Sequence, residues 1–324
     1  MPEAAGEGRR VRDRAGKSQL VIYGALAANV GIAIAKFVAA GLTGSSSMLS
    51  EGFHSTVDST NELLLLYGEH RGRRPPDRAH PFGYGREIYF WSFVVSILIF
   101  AIGAGLSVFE GYAHIRAPEQ LSDPFVNYVV LAVAFVLEGT SWIIAVRNLG
   151  RTKGDRGWWE AIRRSKDPST LVVAFEDAAA LVGIALAAAG VYASHRLDEP
   201  RIDGAASIAI GIVLAVVAML LAREAKSLLI GEPADEALVA RVTAVLDGHA
   251  RITAVNHVRT IHTAPDEVFV AASVDFDDSL RMGEGETLIE ALEARLRAEM
   301  PELTTIYIRP EKRENDDVEL HDPA

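Results

Sequence analysis

Six apolar runs succeed one another before Gly231: Leu20 to Ala40, Ser47 to Tyr67, Ile88 to Phe109, Phe125 to Val146, Leu171 to Tyr192 and Ala205 to Leu228. A bilayer core of about 30 Å needs roughly 20 residues of helix, so these runs predict a polytopic α-helical membrane protein with six transmembrane helices. One such run fits a buried helix of a soluble protein; six, separated by short polar turns, do not. After Gly231 the period changes. Asp235 to Asp247 repeats like an amphipathic helix, AVNHVRTIHT and EVFVAASVDF alternate like strands, GEGETLIEALEARLRAEM is a second helix and TTIYIRP a third strand. That order predicts a small αββαβ domain. The chain then divides into a cytosolic N-terminal tail (1–19), a transmembrane domain (20–230), a cytosolic C-terminal domain (231–310) and an acidic tail (311–324) with neither period nor core, expected to be disordered.

Charge changes the picture by orienting the helices. Alternate connections, including the N-terminal tail, hold 17 Lys and Arg, whereas the opposite set holds 3. This imbalance predicts cytoplasmic termini and a multi-pass protein of the cell's inner or plasma membrane. The N-terminus lacks a cleavage signature and reads as retained. Residues 232–324 carry 21 Asp and Glu against 9 Lys and Arg. An acidic domain of this kind excludes nucleic acid as an expected partner and suits metal cations. The chain has no cysteine, which removes disulfides, thiolate metal sites, iron-sulfur clusters and cysteine nucleophiles together.

Candidate chemistry lies where polar groups interrupt the apolar helices. His54, Asp58, Asn61 and Glu62 fall in helix two, Glu176 and Asp177 in helix five, and Asp203 just before helix six. Lipid does not satisfy such groups, so they face a protein interior or a wet path. His54 and Asp58 are four apart, on one helical face and about 6 Å from each other, within reach of one small cation. A structural hydrogen bond that fastens helix packing fits the pair alone equally well. The acids of helices five and six tip the balance toward an ion site. Proton relay uses the same residues, since histidine titrates near neutral pH.

Over about Gln19 to Pro310 the sequence resembles the cation diffusion facilitator family, exporters of zinc or related divalent ions, commonly in exchange for protons. The resemblance is carried by His54-Ser-Thr-Val-Asp58 within LTGSSSMLSEGFHSTVDSTNELLL, and by HPFGYGRE, His80 to Glu87, ahead of helix three. It implies a homodimer with a ferredoxin-like αββαβ cytosolic domain, and a transport site with two ligands each from helices two and five. His54 and Asp58 match the first pair. With Asp177 in the usual aspartate position, the residue four earlier is Val173, which cannot bind metal; Glu176 is the replacement. Adjacent Glu and Asp on helix five resemble the zinc transporter 9 branch. Neighbouring residues point about 100° apart on a helix, so three protein ligands plus water, or a carboxylate reaching sideways, meet the geometry. A nitrogen and oxygen set suits zinc and also manganese, iron, cobalt and cadmium.

A second family site in the loop before helix three corresponds to Asp77 and His80, with Tyr84 where a further histidine is usual. A structural turn set by Pro81, Gly83 and Gly85 competes with that reading. In the C-terminal domain, Asn256, Ser273 and Ile308 occupy the usual regulatory positions, leaving His257 and His262; a dimerisation module with little high-affinity metal binding is expected.

No Walker or dinucleotide motif is present, so no cofactor is expected beyond the transported ion, and an ion gradient supplies the energy. The leading expectation is not an enzyme but a homodimeric divalent-cation/proton antiporter in a lipid bilayer, with zinc first. Two rivals stay open: another ion-coupled transporter or channel, and a non-transporting membrane scaffold or metal sensor.

Overall fold

The computed structural model describes residues 29–118, 124–153, 157, 158, 162 and 165–313. The tail 1–19, the first turns of the predicted helix one and residues 314–324 lie outside the described residues. The chain forms two compact units: one from residues up to His70 together with Tyr89–Ala225, the other from Arg71–Ile88 together with Lys226 onward.

The first unit is a helical bundle. Its helices, continuing at their ends into the second unit, are α1 (Asn29–Thr43), α2 (Ser46–Gly72), α3 (Glu87–Arg116), α4 (Phe125–Lys153), α5 (Pro168–Leu197) and α6 (Arg201–Ile230). Four of them, α3 to α6, are long and apolar enough to cross a membrane. Six crossings therefore stay an expectation: the described part of α1 is short, and the polar face of α2 lowers its hydropathy. The helices overrun the predicted apolar runs because hydropathy marks the lipid-facing length, whereas capping marks the helix end. Thus α5 starts where Asp167 accepts from the Ser169 and Thr170 backbone N–H groups at 3.1 and 3.3 Å, with Pro168 in the first turn. It ends at Asp198, held in the left-handed region at φ 51°.

Two short connections fix the bundle. Gly44, at φ 70°, returns its N–H to the Ala40 carbonyl at 2.8 Å and lets α2 start with only two residues between it and α1. Asp203, fully buried in the first turn of α6, accepts from the Ser47 backbone N–H at 3.1 Å and from the Ser45 hydroxyl at 3.0 Å, with a further short bond from the Ser47 hydroxyl. It caps the N-terminus of α2 from another helix. Elsewhere α3 and α6 approach to backbone contact: a methyl group on Gly204 would stand 2.8 Å from the Gly111 carbonyl oxygen. Inside α3, Ile99–Ala104 widens into one π-helical segment.

The second unit is the expected small α/β domain. Helix α7 (Glu236–Asp247) precedes β1 (Ile252–Ala264) and β2 (Glu267–Phe276), an antiparallel pair; α8 (Met282–Glu299) then crosses to β3 (Leu303–Pro310), parallel to β2. Alternation on β2 sends Val268, Val270, Ala272 and Val274 inward against Leu246, Leu292 and Leu296. Each leucine of that core contributes roughly 1.5–3 kcal/mol by leaving water. Segment Arg71–Ile88 belongs to the same unit. Its Phe82 ring meets Phe269 edge-on at 5.7 Å, and a methyl group on Gly85 would strike the Thr263 carbonyl at 2.5 Å. HPFGYGRE is thereby the part of the chain that docks on the sheet's open face.

Candidate metal centre

Helix α2 carries its chemistry as one stripe. Counting 100° per residue, Glu51, His54, Asp58, Glu62 and Glu69 fall within about a quarter turn of one another. His54 is buried, and neither ring nitrogen has a hydrogen-bond partner; the nearest acid is Asp58, 3.4 Å from Nδ1. Asp58 Oδ1 is likewise buried and without a hydrogen bond. The fastening hydrogen bond weighed for this pair is therefore not formed.

On α5, Glu176 accepts from the Asn61 side-chain amide at 2.5 Å, which ties α5 to α2. Asp177 is hydrogen-bonded by Ser141 of α4, and its Oδ2 stays without a partner. Asp58, Glu176 and Asp177 line one cavity of about 260 Å³, together with Glu62, Glu69 and Glu138. Val173, which stands where a fourth ligand is usual, lines it too, as do Asn29 and Ser141. His54 is not among the lining residues. Among the described residues no three His, Asp or Glu side chains converge closely enough to hold a metal ion. Three of the predicted four thus share a wall, and the fourth lies beside Asp58.

Several charged residues, Glu69 among them, were missed or misjudged from the sequence. Glu138 of α4 lines the cavity but sits in a run that reads as lipid-facing. Lys36 of α1, fully buried, places Nζ 2.8 Å from Glu51 Oε2 and 2.7 Å from the Ser55 hydroxyl; Glu51 is fully buried as well. A lysine inside an apolar run and a glutamate one turn ahead of His54 were the available signals. Asp203 is the correction: its oxygens are taken by Ser45 and Ser47, so it caps a helix rather than joining an ion path.

Asp77 and His80 are brought together in a tight turn. Asp77 Oδ1 accepts from the Ala79 and His80 backbone N–H groups at 2.9 and 2.8 Å, and Oδ2 from the Tyr84 hydroxyl at 2.8 Å. These bonds, Tyr84's first, hold the Asp77 carboxyl below its ordinary value. The His80 ring lies 4.2 Å from that of Tyr84. In the C-terminal domain, Asn256 donates to Ser273 at 3.2 Å, and Ser273 donates to the Glu311 carboxylate at 2.5 Å, so that two of the family's regulatory positions are engaged in a hydrogen-bonded knot.

Residues 22–230 match the cation efflux transmembrane domain, and residues 234–313 match the cation efflux protein cytoplasmic domain. The chain belongs to the cation diffusion facilitator family. Members of this family are transporters, not enzymes, and the matched C-terminal domain is a dimer-forming one, which supports a lipid-embedded, paired protein. The chain is 32% identical to proton-coupled zinc antiporter SLC30A9, mitochondrial, of Xenopus laevis, over 72% of its own length and 42% of the relative's. With the Homo sapiens protein of that name the identity is 32% over 75% and 43%. Metal tolerance protein C4 of Arabidopsis thaliana is 28% identical over 81% and 58%. The chain spans under half the length of those zinc antiporters. Their names also correct the expected localisation: the vertebrate relatives are mitochondrial proteins, so loop charge alone does not assign the chain to the cell's inner or plasma membrane.

Proposed function

We propose that this cation diffusion facilitator carries a divalent cation, zinc first, across a bilayer in exchange for protons. In this reading six helices cross the membrane, α1 and α2 included, and His54, Asp58, Asp177 and Glu176 hold the ion in transit. The observation that carries the reading is the cavity: Asp58, Glu62, Glu69, Glu138, Glu176 and Asp177 line about 260 Å³ inside a membrane bundle. Carboxylates crowded in a low dielectric repel one another strongly and call for a cation or for protons. Either occupant displaces the other, which is the elementary step of exchange. His54, with both nitrogens unpartnered beside Asp58, adds the softer ligand that favours zinc over magnesium. The relatives named as proton-coupled zinc antiporters support the same ion and the same exchange.

The carboxylates and His54 do not close on one centre among the described residues, so ion binding draws together their side chains, by rotation or by a shift of α2 against α5. Such a shift is the motion alternating access needs. The same openness favours the second reading, a scaffold or sensor that keeps the fold without transport. Zinc uptake by sealed vesicles separates the two. Uptake that follows an imposed pH gradient and disappears in both Asp58→Ala and Asp177→Ala supports transport, whereas correctly assembled protein that carries no divalent ion supports the scaffold.

A further inference from the structure

The buried pair Lys36 and Glu51 is more than a clasp between α1 and α2. Both side chains are fully buried, and Lys36 satisfies its ammonium on Glu51 Oε2 and the Ser55 hydroxyl. Glu51 is left half satisfied: Oε1 has no hydrogen-bond partner and rests against Gly183 of α5, where a methyl group would collide with it. A structural ion pair in so dry a place is expected to saturate its oxygens, because each open acceptor costs desolvation without return.

The open oxygen is not isolated. Glu51 lies one turn ahead of His54 on the same face of α2, and Asp58 follows one turn later. Glu51 Oε1, the unprotonated ring nitrogen of His54 and Asp58 Oδ1, buried and without hydrogen-bond partners along this face, form a Lewis-basic row about 10 Å long. The row faces α5, since Glu51 meets Gly183 at one end and Asn61, three residues beyond Asp58, bonds Glu176. Only its Asp58 end lines the acidic cavity. An ion moving past His54 along α2, away from that cavity, meets Glu51 next, with the Lys36 ammonium already on it.

Resting on the transport reading above, we propose that Glu51 is a further carboxylate contact for the divalent cation, and that Lys36 is a tethered counter-cation holding Glu51 until the ion takes its place. A single ammonium satisfies one oxygen, while a divalent ion coordinates either oxygen and outcompetes it. The exchange moves Lys36 off Glu51 and so loosens α1 from α2. Binding at Glu51 is thus linked to an opening of the bundle beyond His54.

The test compares full-length Glu51→Asp and the double variant Lys36→Met with Glu51→Met. The double variant replaces the pair by apolar side chains of similar length, which preserves a purely structural clasp. Zinc affinity is read by competition with a fluorescent chelator on the purified protein, and zinc flux in vesicles. Loss of about tenfold or more in affinity by the double variant, with Glu51→Asp recovering most of it, is the expected result. A double variant that assembles and binds zinc with any smaller loss overturns the proposal. Should it not assemble, Glu51→Gln, which keeps an oxygen for Lys36, is judged by the same threshold. Binding also separates this proposal from the transport reading: wild-type vesicles silent for zinc defeat transport, while the affinity comparison still decides Glu51.

Discussion

Asn61 on α2 donates to Glu176 on α5 across 2.5 Å, both residues buried, and so joins the helix of His54 and Asp58 to the helix of Asp177. Replacing Asn61 by Leu removes the donor and leaves a buried carboxylate oxygen without it, at a cost of about 1–3 kcal/mol. Lower thermal stability and zinc flux are expected for Asn61→Leu, with Asn61→Gln retaining more of both. Equal melting of wild type and Asn61→Leu would show that the bond holds nothing together.

Gly204 and Gly111 let α3 and α6 touch through backbone. Gly204→Leu forces a branched side chain onto the Gly111 carbonyl, a clash worth about 1–3 kcal/mol or more. Reduced thermal stability in detergent is expected. Gly31→Ala, which meets open space on α1, serves as the control and should not destabilise the protein.

Phe82 is the ring through which the segment before α3 docks on Phe269. Phe82→Ala should loosen this segment by about 0.5–1.5 kcal/mol, the worth of an aromatic pair. Faster amide exchange is expected at Arg71–Ile88 but not in the core of β2. Unchanged exchange in the segment would mean that Phe82 contributes no docking.

Tyr84 is the main cause of the low Asp77 carboxyl, followed by the His80 backbone N–H. A carboxylate depressed in the folded state stabilises the turn above its unfolded value and loses that contribution as pH falls through the folded one. The turn should therefore hold through neutral pH and loosen only in acid. Tyr84→Phe should move Asp77 up toward 3.8, so that loosening begins at higher pH. Isotope-edited infrared titration of Asp77 reads this directly; an Asp77 that titrates identically in both proteins would deny the hydroxyl its role.

How much of this was legible beforehand depended on range. The apolar runs and the αββαβ order were readable because lipid and a small core impose local periods of 3.6 and 2 residues. His54, Asp58, Glu176 and Asp177 stood out because a polar group in an apolar run is costly wherever it packs. Lys36 obeyed the same rule and was passed over, since its partner Glu51 lies 15 positions away and looks like an ordinary acid near a helix start. Asp203 looked like an ion-path acid because its ligands, Ser45 and Ser47, are more than 150 positions distant. Glu138 was hidden in a run whose nearest neighbours, Phe135, Val136 and Leu137, do face outward. Local pattern named the elements; pairing across the bundle gave the acids their separate tasks.

The most direct test of exchange is to record zinc and pH together in the same sealed vesicles, with one dye for each. With no pH gradient imposed, zinc added outside should enter as protons leave, alkalinising the lumen, and both signals should vanish in Asp58→Ala. Zinc entry with no change in luminal pH would contradict proton-coupled antiport.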